Sequence, residues 1–258
     1  MTTGTRPTHD FCWINLMSPE GAKARAFFAS LFGWTYGEMP GAPGGQLIQV
    51  AGLTAGAFMD LDEAKMPPGT PPVIGVMVRV DDADATVKKA RSLGGKAEDA
   101  FDVMENGRMA MLHDPCGAMI AIWQPKKKLT ADCDSHANGA PSWFETLSTD
   151  PARAAAFYAA LFGWKVEEQP VAPGMSYTLF KLGDRPIGGA MKMPPRAGDH
   201  PSHWGTYFAV DDADATAARG AELGGKLCIP PQDIPGVGRF ALLLSPQGVS
   251  FHILQYKR

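Results

Sequence analysis

The C-terminal half of the chain carries a small set of side chains that are suited to proton transfer. Glu145 lies in SWFETLS, His203 and Tyr207 lie in HWGTYFAV, and His252 lies in SFHILQ. Carboxylates and imidazoles serve as general acids and bases, and a phenol can steady a developing charge. Each residue sits in a short apolar stretch that is typical of a β-strand, where alternate side chains share a face. Whether these faces meet in one site depends on the elements that position them.

The strongest organising feature of the chain is an internal repeat. VDDADAT fills residues 80–86 and again 210–216, an offset of 130. The similarity extends in both directions, because CWINLMSPEGAKARAFFASLFGW aligns with SWFETLSTDPARAAAFYAALFGW, and DPCGAMIAIWQ aligns with SPQGVSFHILQ. Self-similarity of this length predicts two copies of one domain. We place them at 8–124 and 141–258, joined by a polar linker at 125–140 in which the basic run 126–128 is solvated.

The repeated VDDADAT motif follows an apolar strand and opens a helical pattern in both copies. Aspartate at a helix start accepts hydrogen bonds from free N–H groups and complements the helix dipole, so the motif predicts helix capping. Metal binding by the acidic cluster is the alternative, but capping accounts for these residues fully. The second copy also predicts a helix at 150–162, before its VDDADAT motif. Asp150 caps this helix, Pro151 takes its first position and Gly163 ends it.

Composition restricts the classes of partner and the compartment. The chain has 258 residues, of which 45% are hydrophobic and 20% charged, as in a globular protein. Its net charge of −3 and the lack of a basic face argue against nucleic acid as a partner. A polar N-terminus and the absence of a long apolar run predict neither a signal peptide nor a membrane span. Four cysteines without metal-like spacing predict reduced thiols in a cytoplasmic protein.

Taken together, these motifs resemble the vicinal oxygen chelate (VOC) superfamily, which includes glyoxalase I, bleomycin-resistance proteins and extradiol dioxygenases. The matching residues are FYAALFGW after a capped turn, VDDADAT followed by LGGK, and DPCG or SPQG before a final strand. The resemblance covers nearly the whole chain, in two tandem copies. It implies an α+β fold in which each domain pairs two βαβββ modules and curves its sheet around a groove. We expect a monomer whose two domains pack on each other.

Metal-dependent members of that superfamily carry His, Gln or Glu ligands on the first and last strands of each module. Carried over to this chain, the ligand positions fall on Trp13, Gly75 and Ala121 in the first copy and on Trp143, Gly205 and His252 in the second. The remaining position lies near 56–59 and 188–191, where no His or acid occurs. A divalent ion takes three or four protein ligands. We therefore expect no metal and no other cofactor, which argues against ring cleavage and against the usual glyoxalase I reaction.

The strand register implied by the resemblance assigns side chains to each groove. Groove one, in the first domain, is predicted to be apolar, with Asn15 and Arg79 as its polar points. Its groove face carries Trp13, Asn15, Met17, Met77, Arg79, Met119, Ala121 and Trp123. The opposite face is branched and apolar, as a helix-covered face should be, and carries Ile14, Leu16, Val76, Val78, Val80, Ile120 and Ile122.

Groove two, in the second domain, is predicted to be the chemically richer one. The same register gives it Trp143, Glu145, Leu147, His203, Gly205, Tyr207, Ser250, His252 and Leu254. We predict catalytic roles for Glu145, His203, His252 and Tyr207. Predicted ligand contacts are Trp143 and Arg239 here, and Trp13, Asn15, Met77, Arg79 and Trp123 in groove one. Two alternatives stay open, a shifted metal triad of Glu145, His203 and His252, or ordinary polar residues on a partly wet sheet face.

Three functions are compatible with the sequence. The first is metal-independent binding of a small apolar or aromatic carbonyl compound. The second is acid–base catalysis on such a compound by the second domain, in the manner of a glyoxalase-like lyase or isomerase rather than a dioxygenase. The third is a protein-interaction module with vestigial grooves. The partner expected from the first two is a small molecule.

Overall fold

Two mixed sheets, one from each repeat, form the framework of the chain. The computed structural model describes residues 6–39, 41–64, 66, 69–126, 130–172, 175–194 and 200–257. The first domain contains β1 (Phe11–Ser18), α1 (Gly21–Phe32), β2 (Thr35–Glu38), β3 (Gly45–Val50), β4 (Leu53–Asp60), β5 (Val73–Arg79), α2 (Ala83–Ser92), β6 (Lys96–Ala97), β7 (Phe101–Val103), β8 (Gly107–His113) and β9 (Met119–Pro125). The second contains β10 (Pro141–Ser148), α3 (Pro151–Phe162), β11 (Lys165–Ala172), β12 (Met175–Leu182), β13 (Arg185–Lys192), β14 (His203–Ala209), α4 (Ala213–Glu222), β15 (Lys226–Ile234), β16 (Gly238–Leu244) and β17 (Ser250–Tyr256).

The two sheets share one topology, which confirms the α+β fold with paired βαβββ modules. The strand order is β2-β3-β4-β1-β5-β9-β8-β6 in the first domain and β11-β12-β13-β10-β14-β17-β16-β15 in the second. The first strand of each domain is central, parallel to the last strand of its own module and antiparallel to the first strand of the next module. Within the described residues, no helix is both long and apolar enough to span a bilayer.

The repeated acidic motif caps helices, as the sequence predicts. The Asp82 carboxylate accepts a hydrogen bond from the Ala85 amide at 2.9 Å at the start of α2, and Asp212 does the same for α4. The third aspartate of each motif forms an ion pair instead. Asp84 pairs with Arg108 on β8, and Asp214 pairs with Arg239 on β16. The motif is therefore scaffold in both domains.

The helix-covered faces of the two sheets are buried against each other's helices. One apolar core joins α2 and the β5–β9 half of the first domain to α3 and the β10–β13 half of the second. The other joins α1 and the β1–β4 half of the first domain to the helix and strands of the second domain's last module. Neither core belongs to a single domain, so the two repeats are packed head to tail through their helices.

The described part of the polar linker packs into this interface. Ala131, Cys133 and Ala140 are buried, and the Trp34 indole N–H donates to the Gly139 carbonyl at 2.8 Å. Small residues let the segment lie close against the aromatic side chains there. Of the basic run, Lys126 forms an ion pair with a carboxylate on β7, and residues 127–128 lie outside the described residues.

A buried polar network also connects the domains. The Tyr158 hydroxyl on α3 donates to the Asp114 carboxylate at 3.1 Å, and the Trp204 indole N–H donates to the Tyr158 oxygen at 2.9 Å. Asp114 belongs to the first domain, whereas Tyr158 and Trp204 belong to the second. All three side chains are buried, so each hydrogen bond replaces one that water would otherwise make.

We predict that Tyr158→Phe destabilises the whole chain. The substitution leaves a buried carboxylate and a buried indole N–H with one partner fewer, which costs about 1–3 kcal/mol of unfolding free energy. Urea denaturation measures this loss. The control is Tyr36→Phe, whose hydroxyl makes one long hydrogen bond of 3.3 Å to the Arg25 carbonyl and is only half-buried, so a smaller loss is expected. Equal losses in the two variants would contradict the prediction.

Candidate functional site

The faces assigned to each sheet from the strand register are confirmed. The branched apolar residues predicted to face helices all lie in the two shared cores, and Trp13, Met77 and Trp123 lie in a separate cluster on the other side of the first sheet. A β-bulge near the start of each central strand was not foreseen. In β1, Phe11 pairs with Val78 and Trp13 with Met77, so one extra residue intervenes and Phe11 faces the core while Trp13 faces the groove.

Groove one has a mainly apolar floor, and the position equivalent to Glu145 carries the neutral Asn15. Its buried Trp13, Met77 and Trp123 pack with further methionines from β8 and from the segment after β2. Asn15 is half-buried at the middle of the central strand. Arg79 lies on the groove face at the end of β5, but its guanidinium donates to the carbonyl of Arg6 at 2.6 Å and so anchors the N-terminal segment.

Groove two is built around Glu145 at the centre of β10. Glu145 lies in register with Gly189 on one neighbouring strand and Gly205 on the other. A β-carbon at Gly189 would come within 2.3 Å of the Tyr177 hydroxyl oxygen, and one at Gly205 within 3.1 Å of the His252 ring. The two glycines therefore leave space for a phenol and an imidazole to lie on either side of the carboxylate.

A chain of hydrogen bonds runs across this groove. The Tyr207 hydroxyl donates to Oε1 of Glu145 at 2.9 Å, and the Tyr177 hydroxyl lies beside the same carboxylate. The Trp143 indole N–H in turn donates to the Tyr177 oxygen at 2.8 Å. The His252 ring stacks on the Tyr207 ring with centroids 4.1 Å apart. One carboxylate thus organises four aromatic side chains from four strands.

Burial sets the protonation of this site. It raises the pKa of Glu145 to about 7, and the hydrogen bonds from Tyr207 and Tyr177 offset only part of that effect. Burial, aided by the nearby His203, lowers the pKa of His252 to about 3, so its imidazole is neutral at physiological pH. The His252 Nδ1 atom is buried and has no hydrogen-bond partner among the described residues. Glu145 is thus the group that exchanges protons near neutral pH.

The predicted residues of groove two come together in part. Trp143, Glu145, Tyr207 and His252 form the connected set. His203 shares their face, but it lies at the start of β14, is half-buried, and has its Nδ1 atom 2.9 Å from the Pro201 carbonyl oxygen.

The placement of Arg239 in this groove was wrong. Arg239 lies on the helix-covered face of β16 together with Ala241 and Leu243, which are in a shared core. Its guanidinium binds the Asp214 carboxylate at 2.7 and 2.9 Å and Asp233 at 3.0 Å. These ion pairs hold the second helix of the domain on the sheet, which is the role that Arg108 has in the first domain.

Tyr177 is the site residue that sequence reasoning missed. It lies on β12, in the stretch MSYTLFKL, where Tyr177, Leu179 and Lys181 alternate with residues that face the core. This alternation is a strand signal, but no motif of the repeat marks it. The equivalent position in the first domain is Gly45, because both residues pair with the methionine at the end of the parallel neighbour strand.

The residues at the ligand positions of metal-dependent relatives do not fit a metal ion. Trp13 and Trp143 occupy the first-strand positions, Gly75 and Gly205 have no side chain, and only His252 could contribute a donor atom. Among the described residues, no three His, Cys, Asp or Glu side chains are grouped so that they could hold a metal. Glu145, His203 and His252 accordingly do not form the shifted triad that the sequence left open.

Comparison with known proteins agrees with this architecture. The model of the Glyoxalase/Bleomycin resistance protein/Dioxygenase superfamily matches residues 11–122 and 142–253, and the chain belongs to that superfamily. It is 41% identical over 248 residues to "Putative glyoxylase CFP32" of Mycobacterium tuberculosis (strain CDC 1551 / Oshkosh), covering 94% of this chain and 93% of the relative. It is 32% identical to "Anthracycline biosynthesis protein DnrV" of Streptomyces peucetius, covering 95% and 92%.

A solved structure shows the same fold at low sequence identity. The Mn(II)-bound glyoxalase from Novosphingobium aromaticivorans superimposes with a TM-score of 0.66 at 13% identity, covering 96% of this chain and 82% of that one. At this identity the likeness shows a shared fold. The shared fold does not extend to a shared metal site. At the metal-ligand positions described above, the groove floors of this chain carry mainly aromatic and small side chains.

We expect the stability of the chain to depend on pH through Glu145. The folded state holds this proton more tightly than the unfolded chain, whose glutamate has the ordinary pKa of 4.5, so the unfolding free energy falls as pH rises from about 4.5 to about 7. Relative to Glu145→Gln, the loss over that range is on the order of 3 kcal/mol. His252 acts in the opposite direction between about pH 3 and 6.5, but it is present in both proteins, so the difference isolates Glu145.

Urea denaturation of both proteins between pH 4 and 8 provides this measurement. Parallel stability curves for the wild type and Glu145→Gln would show that the carboxyl does not take up its proton near neutral pH.

We also expect the purified chain to bind no divalent metal at a defined site in either groove. The reason is the residue types at the ligand positions, where Trp13, Trp143 and two glycines cannot donate to an ion. Elemental analysis after dialysis against zinc, nickel, manganese and iron(II) checks this. A stoichiometric ion whose binding is lost on His252→Ala would contradict the expectation.

Proposed function

We propose that the second domain binds a small apolar or aromatic compound that carries a carbonyl group, in groove two and without a metal ion. The observation that carries this proposal is the hydrogen-bonded set of Glu145, Tyr207, Tyr177 and Trp143 on an otherwise apolar sheet face. A concave surface with a few convergent polar groups is the usual form of a small-molecule site.

The chemistry of the floor supports this class of ligand. Trp143 and Tyr177 are half-buried, so part of each aromatic surface is open to a ligand above the more deeply buried Glu145 and Tyr207. Aromatic faces stack on flat apolar molecules. A protonated Glu145 can donate a hydrogen bond to a carbonyl oxygen, which is an acceptor without a proton of its own.

The names of the relatives point to small-molecule metabolism. One relative is described as a glyoxylase and another as a protein of anthracycline biosynthesis. Both cover nearly the full length of this chain, so both domains are shared with them. These names support a small-molecule ligand, and the site described above supplies its chemical class.

Acid–base catalysis is the second candidate function, and the pKa of Glu145 favours it. With a pKa of about 7, Glu145 is present in both protonation states at neutral pH and can act as base or acid. Tyr207 and Tyr177 would hold the carboxylate in place while it takes a proton from the ligand or gives one to the carbonyl oxygen. The reaction class would be that of a lyase or isomerase.

The protein-interaction alternative has less support. Large apolar side chains that are exposed in the described residues occur on β7, β11, β15 and in several loops, among them Phe101, Val171 and Leu227. They are distributed over separate elements, and interaction surfaces of this kind need a contiguous patch.

The decisive experiment compares Glu145→Gln with Asn15→Ala at the equivalent position of the first domain. A panel of small aromatic and aliphatic aldehydes and ketones is screened for binding and for turnover. We expect Glu145→Gln to abolish turnover, and to weaken binding by roughly tenfold or less because the amide still hydrogen-bonds. Asn15→Ala should have the smaller effect.

The outcome separates the two functions and the two domains. Binding without turnover in the wild type supports the binding function alone. Loss of both properties on Asn15→Ala, with both intact in Glu145→Gln, would place the working site in the first domain and contradict the proposal.

A further inference from the structure

A cavity of about 280 Å³ lies between the two domains and shares Trp13 and Trp143 with the floors of the two grooves. Its walls come from the starts of β1 and β10, from the start of β13, and from the linker segment 131–136. These parts of the chain meet only because the two domains are packed together. The cavity is therefore a product of the interface, and Glu145, Tyr207 and His252 do not line it.

Many of the lining residues are aromatic or apolar. Phe11 and Phe144 stack on each other with ring centroids 4.3 Å apart, and Ile187 packs in the same core. Trp13 and Trp143 also line the cavity, one from each domain. Such walls favour a flat, apolar molecule over a strongly hydrated one.

The lining also carries charged side chains, namely Arg6, Asp10 and Arg185. Arg185 and Asp10 form an ion pair at 2.6 Å, in which the Asp10 side chain is only 5% exposed, so these two charges offset each other. The guanidinium of Arg6 also lines the cavity and donates to the Cys133 carbonyl at 3.1 Å. A guanidinium has five N–H donors, so this contact leaves Arg6 able to bind an anion. Counting His136 as neutral, the lining residues carry one positive charge.

We propose that this interdomain cavity is a second binding site and that it takes a small aromatic carboxylate. The ring system would lie against the Phe11, Phe144 and tryptophan side chains, and the carboxylate would meet Arg6, because arginine binds carboxylates through two parallel hydrogen bonds. Ligand cavities usually start near 300 Å³, so the volume suits a compound of one or two rings.

Isothermal titration calorimetry of the full chain with 2-naphthoate tests this site, with 2-naphthamide as the neutral analogue of the same shape. We expect one equivalent of 2-naphthoate to bind and 2-naphthamide to bind at least about tenfold more weakly, as the loss of a charge-assisted pair predicts. Arg6→Gln should weaken 2-naphthoate by about tenfold while still donating to the Cys133 carbonyl.

The matched control is Arg153→Gln, which removes the same charge from an exposed position on α3 and should leave the affinity within about twofold. Arg6 is preferred to Arg185 as the test because Arg185→Gln would leave the buried Asp10 without its partner and would perturb folding. Thermal unfolding of each variant verifies that the fold is retained.

Three results would overturn the proposal. The first is the absence of 2-naphthoate binding to the wild type at millimolar concentration. The second is equal affinity for the acid and the amide. The third is loss of 2-naphthoate binding on Glu145→Gln with no change on Arg6→Gln, which would put the ligand in groove two. None of these results affects the test of Glu145 in groove two, which uses neutral carbonyl compounds.

Discussion

The burial of both helix-covered faces in one shared interior is the constraint on which the rest of the structure depends. Helix α1 packs with the last module of the second domain, and α3 packs with the last module of the first. Since those faces are used within the chain, the groove faces are the sheet surfaces left for ligands. The same packing creates the cavity between the domains and buries the small residues of the linker. The surfaces that remain for ligands are thus the two groove faces and the cavity between the domains.

The two domains share this framework, but the side chains on their groove faces differ. Equivalent positions carry Asn15 and Glu145, Gly45 and Tyr177, Met77 and Tyr207, and Ala121 and His252. On the helix side, by contrast, the capping aspartates and the arginines that bind the helices correspond one to one. A single fold therefore presents one apolar groove and one groove with a protonatable centre. The difference in chemistry requires no difference in backbone topology.

Much of this could be predicted from sequence, because strand alternation fixes which side chains share a face. Alternation, in the register that the family resemblance implied, assigned Glu145 and Tyr207 to the groove, and the repeat gave the domain count. Arg239 was misplaced since it was assigned by residue type, without the alternation that groups it with Ala241 and Leu243. Tyr177 was missed because the strands between α3 and β14 carry no repeated motif. The bulge at the start of β1 depends on tertiary packing, which a local pattern does not encode.

The head-to-tail packing of the repeats also has a consequence for the order in which the molecule is made. The apolar face of α1 is completed by strands of residues 208–253, which leave the ribosome after the first domain. Until then the first half of the chain exposes the aromatic side chains that later form a core, and exposed apolar surface during synthesis invites aggregation or chaperone capture. The newly made first domain therefore lacks the partner surface that closes its own interior, so its maturation is tied to synthesis of the second domain.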